Sequence, residues 1–260
     1  MTDTIADWMK LKQNQWQKYI KGKRIALIGP ADTLKGKSLG KFFDSFDVVV
    51  RLNRDITMGE ERHNDYGSRT DVLYGNCSPN PIYGLPQSRD HAMLIREFKF
   101  FIAVAPRNYM PAQDYDSFWH MAYQKNVPAA ELNSSSFRRL EQAAKTRPNS
   151  GIIALNDLLT LGAKEVYLAG LSFYRTQYAE TYFHFGNQEK SQRTNQEALR
   201  KALIEHPLHD HDRQLTWLSR MYRNNSHVIS LDPFLKNLVE EELAKENTAT
   251  IHKAVTHDRI

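Results

Sequence analysis

The sequence predicts a single α/β domain in which a mostly parallel sheet is flanked by helices. Its length of 260 residues suits one hydrophobic core. Short runs rich in valine, isoleucine and aromatic residues alternate with segments of helical periodicity. Several of these runs are apolar throughout, as expected of strands that are buried on both faces of a parallel sheet.

The predicted strands cover residues 25–28, 46–50, 71–74, 99–105, 165–169 and 227–230. The predicted helices cover residues 89–97, 117–125, 137–145, 150–161 and 212–223, where apolar positions recur at helical spacing. Two long polar loops, 56–64 and 172–194, are expected to be functional rather than filler. We expect one domain over 1–260 that ends in a flexible tail at 247–260.

The N-terminal segment 1–22 contains a predicted amphipathic helix over residues 4–20. Ile5, Trp8, Met9, Trp16 and Tyr19 lie near one face, and Lys10, Lys12 and Lys18 lie on the polar face. Such a helix could make peripheral contact with an anionic membrane. Alternatively, its apolar face packs against the sheet, which is the usual arrangement of such faces in globular proteins.

The formal net charge of +5 and the isoelectric point near 9.1 favour an anionic partner such as a nucleotide sugar, an anionic glycan or a membrane surface. The basic residues are dispersed and form no nucleic-acid motif, so we expect no nucleic-acid partner. The single cysteine, Cys77, cannot form an internal disulfide. No signal peptide or membrane-spanning run is found, which predicts a cytoplasmic location, with the inner membrane as a peripheral contact.

Polar and small residues follow the predicted strands at the edge where such sheets bind nucleotides. Gly29 and Ala31 form the turn after the first strand, whose N–H groups could face a phosphate or ribose. The turn alone is a weak signal, because neither GxGxxG nor a Walker sequence is present. Asn53 follows the second strand and alone could equally be a turn residue. We assign Asn76, after the third strand, to the same nucleotide-binding set.

Two longer stretches give these features an order. The first stretch contains, in order, Gly29, residues 44–53, Gly59 and the sequence Asp-Tyr-Gly-Ser-Arg-Thr-Asp at 65–71. This series resembles motif L of the sialyltransferases. Residues 147–170, which begin Arg-Pro-Asn-Ser-Gly, resemble motif S of the same family. The resemblance implies a modified Rossmann-like, GT-A-like domain and a CMP-activated sugar as donor. We expect both stretches to place small residues and hydroxyls where the sheet receives the nucleotide.

The resemblance also implies roles for single residues. Ser150 and Gly151 would offer hydroxyl and backbone donors to CMP, although a serine there could simply be an N-cap. The run through Tyr174 is similar to Campylobacter-type sialyltransferases, which implies that Arg147 lies near the sugar and that Tyr174 hydrogen-bonds the departing phosphate. The remaining phosphate ligands implied by the family motifs are His184 and, as a second phenol, Tyr178 or Tyr182.

Residues 206–214 resemble the last motif of the family and imply the general base. His209 followed by Asp210 matches best, and Gln214 stands where a glutamate is usual. Histidine titrates near neutral pH and can take a proton from an acceptor hydroxyl. His206 is the rival base, while His211 falls at a variable position of the motif and is expected to contribute less.

Two metal hypotheses compete with these assignments. The histidines and aspartates at 206–212 could bind zinc. Asp114-Tyr115-Asp116 is a DxD sequence, but it lies beside a predicted helix, where aspartates complement the helix dipole, and we interpret it as structural. We therefore expect no metal and no cofactor beyond the donor.

The sequence thus predicts an inverting, metal-independent glycosyltransferase for surface-glycan biosynthesis. It would move sialic acid or a related nonulosonic acid from CMP to a glycan hydroxyl. One alternative is transfer of another CMP-linked acidic sugar such as Kdo. Another is a nucleotide-binding relative that has lost catalysis, which is conceivable because Pro30 and Gln214 depart from the family motifs. A nucleic-acid-binding domain is suggested only by the charge. The sequence predicts no particular oligomeric state.

Overall fold

Seven parallel strands form one sheet in the computed structural model, which describes residues 4–53, 60–77, 98–176, 179 and 209–257. They are β1 Arg24–Ile28, β2 Val48–Leu52, β3 Val72–Gly75, β4 Phe100–Ala103, β5 Ala129–Glu131, β6 Glu165–Ala169 and β7 Ile229–Leu231. The α/β class with a parallel sheet is confirmed. The three-residue strand β5 was not predicted, because its Ala-Ala-Glu sequence carries no strand pattern.

The order of the strands, β5-β4-β3-β2-β1-β6-β7, reverses direction beside β1. The chain first moves outward from β1 to β5, then returns to place β6 on the other side of β1. Ile25 pairs with Val48 of β2 and with Val166 of β6. This reversal creates a switch point at the carboxyl ends of β1 and β6, where doubly wound sheets bind their ligands.

Helices cover both faces of the sheet. They are α1 Ile5–Ile20, α2 Gly40–Asp44, α3 His63–Tyr66, α4 Ala112–Gln124, α5 Ser134–Ala144, α6 Ser150–Thr160, α7 His211–Asn224 and α8 Pro233–His257. The segment expected to be a tail beyond 246 is helical through His257. The predicted polar loop 56–64 gives way to a helical turn at Glu60–Arg62 and then to α3. The predicted helix 89–97 lies outside the described residues.

The apolar face of α1 packs on the protein. Trp8, Trp16 and Ile20 are buried, and α1 contacts β5 and α4. Thr4 caps the helix by accepting a hydrogen bond from the Asp7 N–H at 3.2 Å. Packing against the core is therefore the arrangement that the structure shows for this face. Within the described ranges, no helix has the length and apolar character needed to cross a membrane.

The stretch 65–71 is a loop that is held in place by hydrogen bonds from neighbouring elements. It does not line the ligand-binding edge of the sheet, which corrects our expectation. Arg51 of β2 is only 1% exposed, and its guanidinium donates to the carbonyls of Tyr66 at 2.8 Å and Gly67 at 2.9 Å. A buried charge is tolerated only when it is hydrogen-bonded in this way. Asp44 accepts from the N–H of Ser68 at 2.9 Å. Since β3 begins directly after this stretch, Ser68 lies toward the amino ends of the strands, away from the ligand-binding edge.

A carboxyl group joins three elements in the core. Asp157 of α6 accepts hydrogen bonds from the Tyr74 hydroxyl of β3 at 2.8 Å and from Trp16 Nε1 of α1 at 3.3 Å. Burial raises the pKa of Asp157 to about 6, even though both hydrogen bonds favour the charged form. The folded protein therefore retains a proton on this carboxyl group at pH values where the unfolded chain has lost it.

We expect Asp157→Asn to increase stability above pH 6. Because the folded pKa of about 6 exceeds the ordinary aspartate pKa of 3.8, the carboxyl group favours folding at low pH, and this contribution is lost as the pH rises through 6. The difference in unfolding free energy between the variant and the wild type should rise from pH 4 to pH 6.5, by up to about 3 kcal/mol, then level off. Urea titrations at several pH values would measure it. Asp212→Asn, at a side chain that is 88% exposed, is the control. A difference independent of pH contradicts the assignment.

Candidate active site

A cavity of about 120 Å³ lies at the carboxyl edge of the sheet, where β1, β2 and β6 end. Six of the predicted site residues line it: Ala31, Asn53, Ser150, Gly151, Tyr174 and His209. The other lining residues are Pro30, Leu52, Asn149, Gly170, Leu171, Ser172 and Phe173. Pockets for small molecules are usually larger, about 300–1,000 Å³. The cavity is the part of the site that the described residues enclose.

Glycines allow the backbones to approach closely beneath this cavity. A Cβ atom on Gly29 would lie 2.5 Å from the carbonyl oxygen of Gly170, and one on Gly170 would lie 2.5 Å from the carbonyl oxygen of Gly29. Gly170 also has a φ of 67°, which side chains disfavour. A Cβ on Gly151 would lie 2.8 Å from Leu171 Cδ1. Gly29 therefore supports the cavity from below, while Gly151 brings the start of α6 to its wall.

The N-terminus of α6 points its free N–H groups toward the cavity. Asn149, not Ser150, is the N-cap, because its Oδ1 accepts a hydrogen bond from the Ile152 N–H at 3.0 Å. The simple N-cap alternative for Ser150 is therefore wrong. The Ser150 hydroxyl instead donates to Asn53 Oδ1 at 3.3 Å. Asn53 has a φ of 54°, which asparagine tolerates better than most residues. Asn53 thus contributes its amide N–H groups, and the start of α6 its backbone N–H groups, as donors for an anionic or polar ligand.

Phe173 and Tyr174 form a strained turn after β6. Their φ values are 49° and 60°, in the left-handed region that bulky side chains rarely occupy. Such conformations cost on the order of 1–3 kcal/mol each. The Arg175 N–H donates to the Ser172 carbonyl at 3.0 Å, and the Arg175 side chain pairs with Asp212 of α7 at 2.8 Å. This strained turn holds Tyr174 at the cavity wall.

A main-chain carbonyl fixes the protonation of His209. Nδ1 of His209 lies 2.8 Å from the carbonyl oxygen of Arg147. Because a carbonyl oxygen only accepts hydrogen bonds, Nδ1 must carry the proton, and Nε2 of the neutral ring keeps its lone pair. Burial and then the charge of Arg147 lower the pKa of His209, although the hydrogen bond opposes them. His209 is therefore a neutral base at pH 7.

Gln214 connects α7, which begins two residues after His209, to the start of α6. The Gln214 side chain is 0% exposed, and its Oε1 accepts from the Asn149 N–H at 2.9 Å. Its Nε2 lies 3.5 Å from the Arg147 carbonyl. Asp210, the N-cap of α7, also donates its N–H to Thr146 Oγ1 at 2.8 Å. Gln214, which stands where the family usually has a glutamate, therefore hydrogen-bonds to the backbone at this end of the site.

The model of glycosyltransferase family 29 (sialyltransferase) matches residues 1–208 of the 260 residues. The chain belongs to this family. A mouse and a human CMP-N-acetylneuraminate-beta-1,4-galactoside alpha-2,3-sialyltransferase are each 27% identical over 161 residues, which cover 56% of this chain and 41% of the relative. The chain thus spans about two fifths of the length of these curated relatives.

Solved sialyltransferases share the fold. A mammalian sialyltransferase superposes with a TM-score of 0.52 at 14% identity, covering 89% of this chain and 80% of that one. A Campylobacter jejuni sialyltransferase, determined with the substrate analogue CMP-3FNeuAc, superposes with a TM-score of 0.52 at 15% identity and covers 80% of each chain. At these identities the likeness concerns the fold, and it confirms the Rossmann-like class that the motifs predicted.

The remaining predicted site residues of this sialyltransferase-family chain are not among the described residues that line the cavity. Arg147 is half-buried with its guanidinium 5.4 Å from the centre of the Tyr109 ring, and it contributes its carbonyl to His209. Asn76 directly follows β3 at the same edge of the sheet. Neither side chain belongs to the lining of the described cavity. Tyr178, Tyr182, His184 and His206 lie outside the described residues, so their assignments stay predictions.

The two metal hypotheses find no support in the geometry of the described residues. Over the ranges that the structure describes, no three His, Cys, Asp or Glu side chains come together as metal ligands. In the DxD sequence, Asp114 lies in the first turn of α4, and Asp116 pairs with Arg107 at 3.1 Å. The interpretation of this sequence as structural stays a prediction.

Sequence analysis missed three residues that shape the site. Asn149 stands directly before Ser-Gly, and its strong N-cap preference could have identified it. Leu171 lies between Gly29 and Gly151, a contact that no local pattern indicates. The left-handed conformation of Phe173 also carries no sequence signal, because aromatic residues rarely adopt it.

We expect Gln214→Leu to destabilise the protein. The buried N–H of Asn149 would lose its acceptor, which typically costs about 1–3 kcal/mol. Urea denaturation should show this loss of unfolding free energy. Gln142→Leu, at an exposed position of α5, is the matched control and should stay within about 0.5 kcal/mol of the wild type. Equal stabilities for the two variants would show that the Gln214 contact is unimportant.

Proposed function

We propose that this member of glycosyltransferase family 29 transfers sialic acid, or a related nonulosonic acid, from a CMP donor to a glycan hydroxyl. The reaction would proceed with inversion and without a metal ion. The observation that carries the proposal is the bond between His209 Nδ1 and the Arg147 carbonyl, because it leaves Nε2 free to accept a proton at the cavity.

The donor would bind across the switch point between β1 and β6. Asn53, Ser150 and Gly151 supply amide, hydroxyl and backbone groups at one wall, and the positive end of the α6 dipole favours the negatively charged CMP. Ala31 and Gly29 bring the turn after β1 to the same place. The Campylobacter jejuni relative determined with CMP-3FNeuAc supports a CMP-linked sugar as the ligand class.

In the reaction, His209 Nε2 takes the proton of the acceptor hydroxyl. The acceptor oxygen forms a bond to the anomeric carbon while the bond from that carbon to the phosphate oxygen breaks. A single displacement of this kind inverts the configuration and releases CMP. Tyr174, which lines the cavity, would donate its phenolic hydrogen to the phosphate as negative charge develops there. His184 and Tyr182 are the further phosphate donors that the sequence predicts.

No observation favours the alternatives. Pro30 removes one N–H from the turn after β1, but the turn still closes through the Ala31 N–H, which donates to the Gly170 carbonyl at 2.9 Å. Gln214 accepts a hydrogen bond from the Asn149 N–H, so both departures are accommodated in the structure around the cavity. Transfer of Kdo would be distinguished by comparing the two donors. Cytoplasmic location, peripheral membrane contact and a role in surface-glycan assembly remain predictions from the sequence.

We expect CMP, in buffer containing EDTA, to raise the melting temperature more than UDP or GDP does. A ligand that binds only the folded state stabilises it by mass action, and a pocket shaped for CMP should discriminate among nucleotides. Differential scanning fluorimetry measures the shifts, and transfer from CMP-sialic acid in the same buffer tests independence of metal. Equal shifts for all nucleotides would count against the donor assignment. Loss of transfer in EDTA that manganese restores would contradict the metal-free mechanism.

We expect His209→Ala to fold, to bind CMP and to lose about 100- to 10,000-fold in kcat, the usual range for a general base. Because the pKa of His209 is lowered from 6.5, the wild-type rate should fall only when the pH drops below that value. Initial rates with CMP-sialic acid across pH values measure both. His227→Ala, at an exposed histidine, is the control. If His206→Ala abolishes transfer while His209→Ala retains it, the base is misassigned by three residues.

A further inference from the structure

His211, for which the family resemblance implies no role, lies between two residues of the cavity. It is the first residue of α7, and its ring centre is 4.1 Å from that of Tyr174, with the planes inclined by 52°. The centre of the His209 ring lies 6.2 Å from that of His211. His211 therefore contacts the candidate phosphate donor directly and is a close neighbour of the candidate base.

The environment of His211 favours packing over ionisation. Both ring nitrogens are buried, and neither has a hydrogen-bond partner within the described part of the chain. Burial, and then the nearby His209, lower the pKa of His211 to about 4. The other charged groups that act on it are Asp210 and Asp212, which raise the pKa, and Arg175, which lowers it. The ring is neutral at pH 7 and adds no charge beside the base.

Buried polar atoms without partners are unfavourable, so their retention here calls for a reason. Tyr174 supplies one, because its backbone is held in the left-handed region and such conformations persist only when the surroundings enforce them. The contact with His211 restrains the ring. The ion pair between Arg175 and Asp212 joins the same two segments at 2.8 Å. The segment after β6 is thus held against the first turn of α7 at two places.

We propose that His211 is a positioning residue that holds the phenol of Tyr174 against the phosphate of the donor. The proposal rests on the proposed function, since it assigns His211 to the departure of CMP. It also explains how one helix start could serve both halves of the reaction. His209 would accept the proton, and His211, two residues later, would set the group that stabilises the leaving phosphate.

A double-mutant cycle between His211 and Tyr174 tests the proposal. Tyr174→Phe removes the phenolic donor and should lower kcat by about 100-fold, as loss of an oxyanion donor typically does. We expect His211→Ala to lower kcat at least 10-fold and the double variant to be no slower than Tyr174→Phe alone. His211→Leu, which has a side chain of similar volume, should recover most of the loss. Additive losses, or full activity of His211→Ala, would overturn the proposal.

Controls separate this proposal from the proposed function. Circular dichroism melts check that each variant folds, and His227→Ala, at an exposed histidine outside the site, is the matched control and should retain at least half of the wild-type kcat. If the wild type transfers no sialic acid, the proposed function fails. The cycle is then read by calorimetry with CMP, where His211→Ala should weaken binding in the wild type but not in the Tyr174→Phe background. Additive losses of CMP affinity would overturn the role of His211.

Discussion

The close approach of β1 and β6 at their carboxyl ends is the constraint on which the site depends. Gly29 and Gly170 face each other where any Cβ atom would lie 2.5 Å from the opposite carbonyl oxygen. The approach lets Leu171 cross above the glycines and contact Gly151, which brings the start of α6 to the same edge. Asn53, from β2, can then meet the first residue of α6, Ser150. Larger residues at these glycines would separate the strands and open the cavity.

The two motif regions contribute to this site in different ways. The first is largely a framework, in which buried Arg51 and half-buried Asp44 hydrogen-bond to the backbone of the loop 65–71. It reaches the cavity through the Tyr66 hydroxyl, which donates to the Ala31 carbonyl at 2.8 Å. The second region supplies the start of α6, and His209 lies two residues before α7. Main-chain atoms of Arg147 and Asn149 hydrogen-bond to His209 and Gln214, so the proposed nucleotide wall and the proposed base are held as one unit.

Sequence patterns predicted the sheet well because its strands are buried on both faces and read as apolar runs. They failed for β5, which has three residues, and for α8, whose polar C-terminal half suggested a tail. Family motifs located His209 and Ser150 but not their partners. The His209 partner is a carbonyl 62 residues away, a group that every residue possesses and that no sequence signal can mark. The motif that contains Ser68 was identified correctly, but only the structure shows that this segment is a loop held by hydrogen bonds to Arg51 and Asp44.

The left-handed turn at Phe173 and Tyr174 sets a limit on how this protein can be improved. Glycine adopts such angles freely, so exchanging the partly exposed Tyr174 would relieve strain and could raise thermal stability. Phe173 is buried in the core, and its exchange would lose that packing. Exchange of Tyr174 would, however, remove the phenol. A selection scored only on heat resistance would therefore tend to discard Tyr174, whereas a selection scored on the proposed transfer would keep it despite the strain. Stability and the proposed activity are thus opposed at this residue.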